Sequence, residues 1–112
     1  MKQKYSVWIS FDLGVKGDYD GIYSFLDKVK AAECGDFTAF IKVNTQHEIV
    51  GLLKNQINEF VKLNERDRIY VIICRSNGHV FKSGFLFGKR KAAPWSGFFS
   101  SNNNGSLNEI LR

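Results

Sequence analysis

Cysteine, histidine and proline are scarce in this chain, and their scarcity excludes several kinds of site. The 112 residues include two cysteines, two histidines and one proline. Cys34 and Cys74 belong to no C-x-x-C or Cys/His cluster, so we expect two reduced thiols in or near the core. His47 falls in the first turn of a predicted helix and His79 beside a predicted turn. Neither position favours a general base or a Ser-His-Asp arrangement.

Long apolar runs and phosphate-binding glycine loops are missing too. No segment approaches the roughly 18 apolar residues of a membrane span, and no secretory leader pattern occurs. We therefore expect a cytoplasmic protein with no membrane partner. The segment Gly14-Val15-Lys16-Gly17 is too short to be a GxxxxGK loop and is interpreted as a strand-to-helix turn.

The composition is that of one small basic domain. Hydrophobic residues make up 44% of the chain, and ten of its residues are phenylalanine. A domain of this length buries roughly two-thirds of its unfolded surface, so no disulfide or metal is needed for a core. The formal net charge of +5 permits a polyanionic partner without requiring one.

The segment YSVWISFDL, from Tyr5 to Leu13, is the clearest strand pattern. Side chains alternate between the two faces of a strand, and here both faces carry large apolar groups, which is typical of a central strand. The strand ends on Asp12, whose carboxylate we expect at the lip of the sheet.

Six further helices and strands, and one tight turn, follow from periodicity and turn residues. Asp18 is the predicted N-cap of a helix with its apolar stripe at Ile22, Phe25, Leu26 and Val29. The next predictions are a short edge strand over 33–35, a strand over 37–43 and a helix over 47–63 opened by a Thr45/Glu48 capping box. A central strand over 68–74, a type I′ turn at Asn77-Gly78 and a strand over 80–87 follow. Ser83 and Gly84 interrupt the last strand, which indicates a bulge or the close approach of another backbone. This order predicts an α+β fold, the ferredoxin-like βαββαβ plait with an additional C-terminal hairpin strand and two helices on one face.

The chain after Gly88 differs in composition. The stretch GKRKAAPWSGFF is basic and aromatic, and we include it in a single domain over residues 1–99. Residues 100–112 are predicted to be a polar linker and a short terminal helix, with a capped apolar turn over 106–111 that could dock on a protein partner.

Several segments resemble a known family. ISFDL, the helix start DYDGIYSFL, the strand TAFIKV and the pair EIVGLLKNQI and ERDRIYVI are similar to stand-alone relatives of the small CRISPR-adaptation subunit, over about residues 5 to 75. Virulence-associated D-type ribonucleases are more distantly similar. The long tail after Phe87 and the lack of a strongly basic helix depart from the family pattern.

The resemblance implies a symmetric homodimer that packs its sheets, often exchanging the strand that would here be Val80 to Phe87. It also implies a metal site at Asp12, one copy from each protomer. Some members of the family are metal-dependent nucleases, in which Asp12 would be the catalytic residue, and others are architectural subunits on DNA. The chain needs no cofactor unless it is catalytic, in which case Asp12 would hold Mg or Mn. Asp18 or Asp20 could reach the same lip, although both are also explained by the helix dipole, and Asp12 by capping of the loop amides.

The basic segment has two interpretations. Lys82, Lys89, Arg90 and Lys91 could contact the phosphates of RNA or DNA, with Trp95 stacking on bases. Alternatively, Trp95, Phe98 and Phe99 fold back over the open face of the sheet or the dimer seam, and Lys89 to Lys91 are simply solvated. The leading hypothesis is a nucleic-acid-associated homodimer, with or without nuclease activity. The alternative is a non-catalytic protein-interaction module of phage or mobile-element origin.

Overall fold

Five strands and two helices are described by a computed structural model, which covers residues 2–99. The elements are β1 (Gln3–Asp12), α1 (Tyr19–Lys28), β2 (Ala32–Glu33), β3 (Thr38–Thr45), α2 (Ile49–Phe60), β4 (Arg68–Arg75) and β5 (Val80–Phe87). The sheet order is β2-β3-β1-β4-β5, and every neighbouring pair is antiparallel. Both helices pack on one face. The predicted fold class, a ferredoxin-like α+β plait with an added strand, is therefore confirmed.

β1 lies at the centre of the sheet because its inward face supplies much of the core. Val7 and Ile9 are fully buried, and Tyr5 and Phe11 are nearly so. The apolar stripes of α1 and α2 close over them, with Ile22, Phe25, Ile49, Leu53 and Ile57 buried at the centre of the cluster. Buried apolar side chains recur every second residue in the strands and about every 3.6 residues in the helices, which is the pattern expected for a sheet covered by helices on one side.

Asp18 caps α1, as predicted, and it also connects the two helices. One carboxylate oxygen accepts the amide of Gly21 at 3.0 Å, which satisfies a free N–H in the first turn. The other oxygen accepts the amide of Lys62, just beyond the end of α2, at 2.8 Å. These two hydrogen bonds hold the pKa of the Asp18 carboxyl below its usual value.

The start of α2 differs from the prediction. Thr45 does not open the helix, because its hydroxyl accepts the amide of His47 at 2.9 Å in a local turn. Glu48 is the N-cap instead, and its carboxylate accepts the amides of Val50 and Gly51. The capping box was wrong, and the helix begins two residues later than predicted.

The β4–β5 hairpin is where the sequence places it, but its turn is of another type. Gly78 has a φ of 88°, whereas no positive φ occurs at Asn77. The Gly78 amide donates to the carbonyl of Arg75, and the Arg75 amide donates to the carbonyl of His79. This is a type I turn followed by a glycine bulge rather than a type I′ turn. The bulge predicted near Ser83 and Gly84 was wrong in position, because these residues pair regularly with Ile72 and Val71. The register shifts instead at Phe81 and Leu86.

The domain prediction is only partly covered by the described residues. The extension over 88–99 contains short turns in which the amide of Ser96 donates to Ala93 and that of Phe98 donates to Trp95. The predicted linker and terminal helix over 100–112 lie outside the described residues. Within 2–99, neither helix is long and apolar enough to cross a membrane.

The double role of Asp18 leads to a stability prediction. Asp18→Ala should lower the thermal midpoint at pH 7, because it removes the acceptor for two backbone amides. A lowered carboxyl pKa means that the stabilisation is present above the ordinary value of 3.8 and is lost as pH falls through the folded-state pKa. The difference in midpoint between wild type and variant should therefore narrow in acid. Thermal melts by circular dichroism at pH 7 and pH 3 test this, with Asp27→Ala on the exposed face of α1 as the control. A constant difference would contradict the account.

Candidate nucleic-acid interface

Asp12 stands at the lip of the sheet, as predicted, and is paired with a residue that the sequence did not indicate. It lies opposite Arg68 in the β1–β4 register, and the Arg68 Nη2 donates to its Oδ2 at 2.7 Å. The Arg68 guanidinium, the amide of Gly14 and the charge of Lys91 hold the pKa of the Asp12 carboxyl below its usual value. The carboxylate is therefore ionised at neutral pH while its side chain remains about half exposed.

A basic cleft surrounds this ion pair. It has a volume of about 1120 Å³ and is formed where the β1–α1 loop, the loop before β4 and the segment after β5 meet. Its basic side chains are Lys16, Arg66, Arg68, Lys89, Arg90 and Lys91. Three acids, Asp12, Glu65 and Asp67, also line it, but Asp67 is buried and accepts the amide of Asn64 at 2.7 Å. The excess of positive charge in a concave surface attracts anions such as phosphate.

The structure brings together some of the predicted contact residues and separates others. Lys89, Arg90 and Lys91 line the basic cleft together with Asp12. Lys82 lies opposite the buried Ile73 in the β4–β5 register, which puts it on the helix side of the sheet, where its charge acts on Glu48. Trp95 is outside the cleft lining and is 74% exposed.

The aromatic tail does not cover the sheet. Trp95 and Phe98 are largely exposed and Phe99 is half exposed, so these side chains do not fold back over the sheet of their own chain. Their packing at a dimer seam stays a prediction. Residues 2–99 leave the face of the sheet opposite the helices open, and a group of aromatic and aliphatic side chains lies on this surface among polar ones. We call this surface the open face; its apolar members are Trp8, Phe40, Tyr70, Ile72, Cys74 and Phe85.

The described residues of a single chain do not form a site for a divalent metal ion. Residues 2–99 contain no group of three or more His, Cys, Asp or Glu side chains close enough to hold one. Asp12 Oδ2 is engaged by the Arg68 cation, and both oxygens of Asp18 accept backbone amides. The assignment of Asp12 as a metal-binding and catalytic residue requires a second copy of the chain, and it stays a prediction.

Comparison with family models, with curated proteins and with solved structures found no match to this chain. The resemblance to relatives of the small CRISPR-adaptation subunit therefore stays a prediction that rests on the quoted segments alone.

The exposure of the Asp12–Arg68 pair limits its contribution to stability. Asp12→Asn should lower the free energy of unfolding at pH 7 by less than about 1 kcal/mol, because solvent and salt screen an ion pair of this exposure. The lowered pKa makes this contribution present above pH 3.8 and lost in stronger acid. Urea unfolding at pH 7 and pH 3 measures it, and Asp36→Asn, in the exposed loop before β3, is the control. A loss of several kcal/mol would show that Asp12 is a major structural residue.

Proposed function

We propose that this chain is a nucleic-acid-associated protein that holds a phosphate backbone in the basic cleft. The observation that carries the proposal is the convergence of six basic side chains from three separate segments on one concave surface. Lys89, Arg90 and Lys91 come from one run, but Lys16, Arg66 and Arg68 are brought to them by the fold. A run of lysines is ordinarily a solvated surface feature, whereas convergence from three segments favours a shaped anionic ligand.

The chemistry of the cleft suits the phosphate backbone of a nucleic acid better than a single small anion. Its cations are spread along an open surface and are mostly exposed, so each can pair with a different phosphate as the strand passes. Binding of this kind releases counterions from the nucleic acid, and its affinity therefore falls steeply with salt concentration. The arrangement supports contact with the backbone and carries no preference for RNA or DNA.

Neutralising two of these cations should weaken binding in a way that salt reveals. Lys89→Gln/Lys91→Gln should reduce the slope of log affinity against log salt by about 1.4 to 1.8, because each lost phosphate contact contributes about 0.7 to 0.9. Fluorescence anisotropy with labelled RNA and DNA between 50 and 300 mM salt measures the slope. Lys28→Gln/Lys54→Gln, which removes the same charge from the helices, is the matched control and should leave the slope unchanged. A wild-type affinity that does not respond to salt would refute the proposal.

A metal-dependent nuclease formed by two copies of the chain is the second candidate. The half-exposed, ionised carboxylate of Asp12 in a basic cleft supports it, because a charged oxygen is what Mg or Mn prefers and the cations would hold the substrate backbone. In this version two Asp12 side chains hold the ion across a dimer axis, and Lys89 and Arg90 guide the strand.

The nuclease candidate predicts turnover that Asp12→Ala abolishes. Labelled RNA and DNA are incubated with Mg or Mn and either protein, and cleavage is followed on a denaturing gel. The variant should retain or improve binding, because it removes a negative charge from the cleft. Equal cleavage by both proteins, or no cleavage by either, would refute the nuclease candidate and leave nucleic-acid binding as the only proposed function.

The homodimer belongs to the same proposal. It rests on the family resemblance alone, and analytical ultracentrifugation measures the oligomeric state directly. The non-catalytic protein-interaction module stays a prediction, since the segment over 106–111 on which it depends lies outside the described residues.

A further inference from the structure

We infer that the open face is a stacking platform for the bases of a single-stranded nucleic acid whose backbone occupies the basic cleft. The inference rests on the proposed function and adds the form of nucleic acid and the residues that contact its bases. Exposed aromatic rings beside cations are the usual means by which proteins hold single strands.

The first ring pair lies in the middle of the open face. Trp8 on β1 stands opposite Phe40 on β3, and their ring centroids are 4.8 Å apart. Trp8 is 39% exposed even though both of its chain neighbours, Val7 and Ile9, are fully buried. Its indole therefore lies outside the core between the sheet and the helices, and part of its surface is exposed to solvent.

The second ring pair connects the open face to the basic cleft. Tyr70 on β4 and Phe85 on β5 make an edge-to-face pair with centroids 5.0 Å apart. The Arg90 guanidinium lies 5.5 Å from the Phe85 ring and 6.0 Å from the Tyr70 ring, and that of Arg68 lies 5.8 Å from Phe85. The same two arginines line the cleft, so a strand bound there has aromatic rings within one side-chain length of its phosphates.

The other end of the open face is also basic. Lys4 and Lys42 line a smaller cleft of about 410 Å³ between β1 and β3. Along β1, the eight residue steps from Lys4 to Asp12 span about 26 Å at the rise of a β-strand. That length suits roughly four to seven nucleotides, with cations at both ends and rings between them.

Charge decides between a nucleic acid and a second copy as the occupant. The strands of the open face carry Lys4, Lys42 and Arg68 against the carboxylate of Asp12. The adjoining basic cleft adds more cations than acids. Two copies packed face to face would bring like charges together, whereas a polyanion is complementary to them. Duplex is disfavoured because its bases are already stacked on one another and present only their edges.

Tryptophan fluorescence tests the inference. Trp95→Phe leaves Trp8 as the sole tryptophan, and a ten-nucleotide single strand should quench its emission. Trp8→Leu should weaken single-strand binding about 5- to 150-fold, the range for one lost base stack. Trp8→Phe retains a ring and should bind within a few-fold of wild type, and Tyr23→Leu on α1 is the matched control. Circular dichroism confirms that each variant is folded, and the salt slope should be the same in all of them.

The possible results distinguish failure of the stacking platform from failure of the proposed function. Salt-dependent binding that is equal for single strand and duplex, with no Trp8 quenching, would overturn the stacking platform and leave the proposed function intact. No binding of any nucleic acid would overturn both. A stable dimer that Trp8→Leu weakens and Trp8→Phe preserves, with Trp8 emission insensitive to added strand, would overturn the stacking platform and assign the open face to a second copy of the chain.

Discussion

Two helices can cover only one face of this five-stranded sheet, and that constraint shapes the rest of the molecule. Each buried residue of β1 is followed by one that points the opposite way, so the strand that builds the core also builds the open face. Val7 and Ile9 are fully buried, and Trp8 between them is exposed by the same alternation. An antiparallel sheet tolerates one solvated face, which is ordinarily polar. Here that face carries four aromatic rings, Trp8, Phe40, Tyr70 and Phe85, among its polar side chains, and core packing does not explain their presence.

The order and type of the elements could be predicted, because they depend on local periodicity. Residues close together in the sequence are enough to show the apolar stripes of α1 and α2, the alternation in β1 and the hairpin signal at Asn77-Gly78. The errors arose where a side chain had a choice of backbone partner. Thr45 bonds to His47 rather than opening α2, and Glu48 takes over the cap. The hairpin turn is type I rather than type I′ because a single glycine, Gly78, supplies the one positive φ that the glycine bulge requires.

The candidate site was only partly visible in the sequence for a different reason. Lys89, Arg90 and Lys91 are contiguous, so their charge is apparent as a run. Arg68 meets Asp12 only through the β1–β4 register, and Lys16 and Arg66 meet them through loop geometry. The large apolar groups on both faces of β1 correctly predicted a central strand. They did not reveal which face the helices would leave uncovered, because that depends on how the connections place α1 and α2.

The position of Asp12 is easier to understand once its partner is known. A carboxylate in a cationic cleft reduces the attraction of that cleft for anions, so a purely electrostatic site would omit it. Its hydrogen bond fixes one edge of the Arg68 guanidinium at 2.7 Å while the same guanidinium lies 5.8 Å from the Phe85 ring. A guanidinium has five N–H donors in a rigid plane, so fixing one edge orients the others. The ion pair therefore lowers the positive charge of the cleft, but it orients the remaining N–H donors of Arg68 at the boundary between the basic cleft and the open face.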